Sequence, residues 1–356
     1  MSNYTEYKND IAFHPGYYIK ELVDDSGLTQ EDFAKRLGTT PKNLSVLISG
    51  EQRLSIDIAN KLSKMYGTSL EYWLNIQMAY DEKIAEFMDA EEMVKEREVF
   101  NLMDYKYFRD YFGLPDLPRN VEEQIKQVRE FLLVSSLAIL KEPSLGVSFR
   151  SYSDDMSLSN LVNANAMVQI AINKTVEMSS PKFNKRKFEK AVDYALTQTS
   201  NHEGFLDEVK DRFCEAGVVL VVLPNLKNSG ISGATKRVDG KIMLMVNDRR
   251  HYADTFWFSL CHEIGHIVNG DLGVSLEGQS EEEADIYAQD RLIPRDEYRL
   301  FVEHNSFDEK SIREFAVLIN RDPGIVLGRL MQDGKVPHSN TRLSNRLRHS
   351  FIVKTS

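Results

Sequence analysis

One stretch, Asp254 to Gly270 (DTFWFSLCHEIGHIVNG), constrains this chain more than any other. Phe256, Trp257, Leu260, Ile264, Ile267 and Val268 recur at near-helical spacing, so it reads as a buried helix. Asp254 is placed to cap its start, and Gly270 falls where it should stop. So apolar a helix has no cheap place for polar groups, yet it carries His262, Glu263 and His266. Positions four apart share a helix face. His262 and His266 can therefore aim imidazole nitrogens at one point, a geometry that suits Zn2+. Glu263, one step round, stands where a general base for water is needed. The bland alternative is an amphipathic helix with two polar residues facing water, and the apolar flanks argue against it.

A third ligand should follow. From Gly278 the chain reads GQSEEEADIYAQDRLIP. Ser280 can cap a helix running from Glu281 to Leu292, with Ala284, Ile286, Tyr287, Ala288, Leu292 and Ile293 on its apolar side. Glu281 and Asp285 lie four apart, on one face. A glutamate that gives an oxygen to zinc, with a carboxylate one turn later holding a ligand histidine, is a common arrangement. Consecutive glutamates in a first turn also suit the helix dipole without any metal.

Together the two stretches resemble the ImmA/IrrE zinc metallopeptidases, whose pattern is HExxH followed by a helix reading ExEA-N/D-x-F/Y-A…L-x-P. The resemblance implies an α+β zincin-like fold. In it His262, His266 and Glu281 hold Zn2+, Glu263 is the catalytic base and Asp285 supports a ligand histidine. Glu283 replaces Glu281 if the register is displaced by two. The implied substrate is a peptide or protein.

At 356 residues the chain has room for two or three domains, each with its own core. It contains only Cys214 and Cys261, hence no disulfide framework, which fits a reducing cytoplasm. Cys261 precedes a ligand histidine but points about 100° away on a helix, so it reads as a buried structural thiol. No apolar run approaches transmembrane length, and no membrane partner is expected. A net charge of −10 disfavours indiscriminate binding to polyanions.

The first region, residues 1–81, reads as a small helical bundle. Tyr17 to Leu22 is a first helix, and Thr29 caps a second, Gln30 to Leu37. Gly38-Thr39-Thr40 is a tight turn. Thr40 then caps a third helix with Pro41 at its first position. Leu44, Leu47 and Ile48 face inward, leaving Lys42, Asn43 and Ser45 outside. Ile56, Ile58, Ala59 and Leu62 mark a fourth helix, and Leu70 to Leu74 a fifth. Two short helices joined by a glycine turn describe helix-turn-helix DNA binding. The string from Gly27 to Asp81 resembles the lambda-repressor-like XRE family, HigA-type antitoxins above all, which share the Pro-Gly opening and the W-L-x-x-Q ending. By that resemblance Gln30, Lys42, Asn43 and Ser45 meet DNA. Lys42 and Arg53 stand where phosphates would be. Between Ile11 and Tyr80, however, seven Lys/Arg face eight Asp/Glu. Phosphate attraction must then come from local placement, monomer affinity should be modest and steeply salt-dependent, and a homodimer on a two-fold site would help.

Residues 82–200 read as a helical middle region. Its charged start, Asp81 to Asn101, is a linker helix with a solvated face. A further helix spans Val121 to Lys141. Met167, Ile170, Ile172 and Val176 are packing candidates in a mostly polar helical stretch that offers a surface for a partner. Residues 201–356 hold the zinc motifs. Val218 to Leu223 reads as a buried strand, and Ile231–Val238 and Lys241–Asn247 flank Asp239-Gly240 as a hairpin. An edge of this small sheet can align a peptide by strand addition. The tail, with Arg342, Arg346, Arg348 and Lys354, reads as a frayed terminus.

The whole is thus expected to be multidomain and mainly α with a small β-sheet. It would be a cytoplasmic regulator that binds promoter or operator DNA and carries a zinc endopeptidase. Its setting by resemblance is toxin–antitoxin or mobile-element control, with a repressor or toxin as the protein partner. The rival is a non-proteolytic antitoxin or repressor whose zinc is structural or sensory.

Overall fold

A computed structural model describes residues 3–143, 157–276 and 282–353. The chain divides into two units, Met1–Lys95 and Glu96–Ser356. The first begins with a hairpin, β1 (Tyr4–Tyr7) and β2 (Asp10–Phe13), then α1 (Pro15–Asp25), α2 (Gln30–Leu37), α3 (Pro41–Ile48), α4 (Ile56–Tyr66) and α5 (Leu70–Phe100), whose last turns belong to the second unit. The capping expected around the turn is present. Thr29 accepts the Asp32 N–H, Gly38 is left-handed at φ 71°, and Thr40 accepts the Asn43 N–H at 3.1 Å with Pro41 opening α3. Ile19, Phe33, Leu44, Leu62 and Trp73 fill the core between these helices. Ile56 does not join them: at the first position of α4 it is 68% exposed, whereas Ile58 and Ala59 are buried.

In the second unit come α6 (Tyr105–Phe112), α7 (Val121–Leu132), α8 (Leu158–Glu177), α9 (Lys185–Thr197) and α10 (Phe205–Glu215). Three strands follow, β3 (Val218–Leu223), β4 (Ile231–Val238) and β5 (Lys241–Asn247), then α11 (Ala253–Asn269), β6 (Val274–Leu276) and α12 (Glu282–Leu292). The chain closes through α13 (Arg295–Glu303), α14 (Glu309–Leu318), α15 (Pro323–Gln332) and α16 (Thr341–Leu347). The sheet runs β3-β5-β4-β6, with β3 parallel to β5 and the other pairs antiparallel. Asp239 and Gly240, both at positive φ, turn the β4–β5 hairpin as their sequence predicts.

Strand residues alternate between faces. Ile242, Leu244 and Val246 of β5 join the core around α11. Met243 and Met245 point to the opposite face, where α8 packs on the sheet. Within the middle region α8 is therefore packed against the sheet. Leu161 to Val168 of α8 are buried throughout, although Val176 is 63% exposed. Its polar composition disguises this: Asn165 donates to the carbonyls of Leu140 and Glu142, and Asn163 to that of Leu102. The Lys241 ammonium closes the joint, donating to the Thr175 carbonyl in the last turn of α8 and to that of Met178 just beyond it.

Three further expectations are corrected. Helix α7 stops at Leu132, because Leu133 turns left-handed at φ 55°. The charged linker does not keep all its charges in water: Glu96, 1% exposed, accepts from Arg129 at 3.0 Å and from the Leu137 N–H at 2.7 Å. The tail is structured through Val353. Arg346 pairs with Glu309, Tyr252 and Ser350 form a β-bridge, and the Val353 N–H donates to Asp248.

Candidate metal centre

Helix α11 is the centre of the second unit. Phe256, Trp257, Leu260, Ile264 and Ile267 are almost fully buried among β3, β5, α10, α14 and α15. Gly270 ends the helix at φ 80°, as expected. Asp254 does not start it, for Tyr252 holds the cap position. Asp254 instead lies in the first turn, 8% exposed, and takes a two-pronged ion pair from Arg348 at 3.0 and 2.8 Å. Burial pushes the Asp254 carboxyl up, and the Arg348 guanidinium opposes that shift. Cys261 is buried in the core and its thiol is pushed up to about 12 by desolvation, so it is inert.

His262, Glu263 and His266 are all buried, at 9, 0 and 3% exposure. The two imidazoles bring their Nε2 atoms to 3.1 Å of each other. Each turns its other nitrogen to a carboxylate. His262 Nδ1 lies 2.9 Å from Asp285 and His266 Nδ1 3.5 Å from Asp271. Carboxylates there favour the Nδ1–H tautomers, which leaves two Nε2 lone pairs facing one another. Lone pairs at that distance repel unless a proton or a cation lies between them. A tetrahedral zinc bonded to imidazoles at about 2.0–2.1 Å would hold its ligand nitrogens about 3.3–3.4 Å apart. The pair needs a shift of only a few tenths of an ångström to meet that spacing.

Two glycines let the neighbouring elements close in. Gly265, inside the motif, faces the Tyr287 ring of α12, which an added Cβ would meet at 3.1 Å. Gly233 of β4 faces Glu263: a Cβ there would lie 2.5 Å from Cγ and 2.6 Å from Oε1. The Glu263 side chain occupies the space that any other residue at 233 would fill. Neither Gly233 nor Asp271 was singled out from sequence. A glycine inside a strand signals close approach by another group, so Gly233 was within reach of that reading. Asp271 lies one residue beyond the helix end and has no periodic signature.

Glu281 lies outside the described residues. Helix α12 is described from Glu282, and Asp285 on it reaches His262 of the motif helix. Glu283 is exposed. Among the described residues, no third His, Cys, Asp or Glu gathers with the two imidazole nitrogens.

In the first unit Gln30 opens α2, and Lys42, Asn43 and Ser45 lie in the first five residues of α3. Gln30, Lys42 and Ser45 are exposed. Asn43 is half-buried and donates to Thr39 at 2.9 Å, so part of its hydrogen-bonding capacity serves the turn. Arg53 is ion-paired with Asp81, which also accepts from Gln77 at 2.9 Å.

Comparison with known proteins agrees with both halves. Residues 19–73 match the helix-turn-helix family model, and residues 214–319 match that of the IrrE N-terminal-like domain, a peptidase family. Virulence-associated protein I of Dichelobacter nodosus is 33% identical over 81 residues, which is 22% of this chain and 75% of that protein. The uncharacterized HTH-type transcriptional regulator YddM of Escherichia coli K12 is 35% identical over 66 residues, 18% of this chain and 70% of its own length. The chain belongs to the helix-turn-helix family and carries an IrrE-like domain behind it. A solved structure from Nostoc punctiforme, described as a candidate antidote protein of a plasmid maintenance system, is 32% identical over 22% of this chain and 88% of its own, with a TM-score of 0.22. The helix-turn-helix makes DNA a partner of this protein. No helix among the described residues is long and apolar enough to cross a membrane.

Proposed function

We propose that this protein is a DNA-binding regulator whose second unit is a zinc-dependent endopeptidase, acting in toxin–antitoxin or mobile-element control. The observation that carries the reading is the imidazole pair, Nε2 to Nε2 at 3.1 Å, with a carboxylate behind each ring. His262, His266 and Glu281 would hold the zinc. When bound, zinc supplies Lewis-acid polarisation of a carbonyl and makes water acidic enough to attack near neutral pH. Glu263 takes the water's proton on its carboxylate and passes it to the departing amine nitrogen. Asp285 and Asp271 keep protons on Nδ1, so that the Nε2 lone pairs stay available. Outer strand β6, beside the β4 that presses on Glu263, offers its backbone to an extended peptide.

On the DNA side, Gln30, Lys42, Asn43 and Ser45 reach base edges, and Lys42 and Arg53 reach phosphates. With no basic excess in the unit, a homodimer on a two-fold operator supplies the affinity. The protein substrate is a repressor or toxin encoded nearby. The test is Glu263→Gln in the full chain, assayed against the products of neighbouring genes. The variant retains zinc and loses cleavage, and full cleavage by it would remove the assigned base. In parallel, operator binding falls steeply between low and physiological salt. No operator binding even at low salt would mean the bundle recognises protein instead.

A further inference from the structure

We propose that His202, Asp322 and His349 form a second divalent-metal site, remote in sequence from the HExxH helix. His202 Nε2 and His349 Nδ1 lie 3.1 and 3.3 Å from the same oxygen, Asp322 Oδ2. The three donor atoms all fall within 4.8 Å of one another. The two imidazoles stack at 3.8 Å between centroids, tilted by 25°, so both rings present an edge nitrogen to one side. Asp322 is held rigidly. It is 1% exposed, its Oδ1 accepts the Gly324 N–H at 2.7 Å as the cap of α15, and its own N–H donates to Thr199. Oδ2 is therefore the oxygen left for an ion. The His202 and His349 side chains are 26 and 46% exposed, which gives an ion a way in from solvent.

The distances suit the chemistry. Zinc–nitrogen and zinc–oxygen bonds of about 2.0–2.2 Å in a tetrahedron put neighbouring ligands about 3.3–3.6 Å apart. Two of the three edges are already within a few tenths of an ångström of that range. Two imidazoles and one carboxylate favour zinc, copper, nickel or cobalt over magnesium and calcium, which prefer oxygen alone. Solvent completes the coordination on the open side.

The three ligands come from the α9–α10 connection, the start of α15 and the segment after α16. An ion there would staple the tail to the body of the unit. The tail in turn holds the start of α11: the His349 carbonyl accepts the Ala253 N–H at 2.9 Å, and Arg348 pairs with Asp254. The site is thus structural, tightening the anchorage of the helix that carries the candidate catalytic residues.

The test is metal stoichiometry and affinity on the full chain, stripped with chelator and titrated with Zn2+ or Co2+ against a chromophoric competitor. If both sites fill, the native chain binds two equivalents, and His349→Ala binds one. His262→Ala/His266→Ala also binds one, and that ion is lost when His349→Ala is added. His202→Ala weakens the second ion at least tenfold, and adding either single substitution to the HExxH double variant removes the metal-induced rise in thermal midpoint that the double variant retains. If the HExxH motif holds no metal, the native chain binds one ion that His349→Ala removes, which still supports this site. Unchanged stoichiometry and affinity in both His202→Ala and His349→Ala would overturn it.

Discussion

Replacing Gly233 by alanine tests the core of the site without needing a substrate. The added Cβ would lie 2.5 Å from Glu263 Cγ and 2.7 Å from Cδ. Carbon atoms attract best at about 3.5 Å or more, so Glu263 must retreat by about 1 Å. It is fully buried, with α11 packed on β4 and β5. Overpacking of this kind costs about 1–3 kcal/mol. Urea unfolding of four chains reads the effect: native, Gly233→Ala, Glu263→Ala and the double variant. Alanine at 263 has nothing beyond Cβ to collide with, so Gly233→Ala should cost almost nothing in that background. The coupling between the two sites should be about 1–3 kcal/mol. In cleavage assays a base displaced by about 1 Å should lose about 100-fold in rate while zinc content is unchanged. An equal stability penalty in both backgrounds would refute the claim that Glu263 fills the space above Gly233.

Three other outcomes follow from the same contacts. Asp285→Ala should weaken zinc about 10–100-fold in a chelator competition, because the His262 ring loses the acceptor at 2.9 Å that fixes its tautomer. Of the two thiols, only Cys214 should alkylate in the native protein at pH 8. Cys261 is buried with its thiol raised to about 12, so it stays protonated there and reacts only after unfolding, as mass spectrometry of labelled peptides would report. Glu96→Ala should cost about 3 kcal/mol in urea unfolding, since it strands Arg129 and the Leu137 N–H; a loss under about 0.5 kcal/mol would show that water replaces the carboxylate.

Local signals in this sequence were legible, and distant partners were not. Thr29, Gly38, Thr40 and Pro41 each act on backbone within four residues, and both ends of α2 and the start of α3 follow from them. The Asp239-Gly240 turn and the apolar spacing of α11 are local in the same way. The His262–Asp285 contact was reachable because both residues lie on helices of readable phase. Asp254 was misread because a carboxylate near a helix start looks like a cap until Arg348 is known to reach it. Glu96, Asn163 and Asn165 look solvated for the same reason, as each hydrogen-bonds to a group more than twenty residues away. The β1–β2 hairpin lacks a glycine turn; Lys8 adopts the left-handed conformation instead, which residue identity does not announce. The His202–Asp322–His349 cluster has no spacing to read, because its members come from three separate segments.

The clamp of Arg348 on Asp254 joins residues 94 apart in the chain. A nascent polypeptide emerging at roughly 5–20 residues per second would expose the motif helix for several seconds before its anchor leaves the ribosome. During that interval Asp254 would have no guanidinium to meet it, and the first turn of the helix would be free to fray. The motif helix is therefore fully anchored only once the segment carrying Arg348 has emerged and folded back onto its first turn.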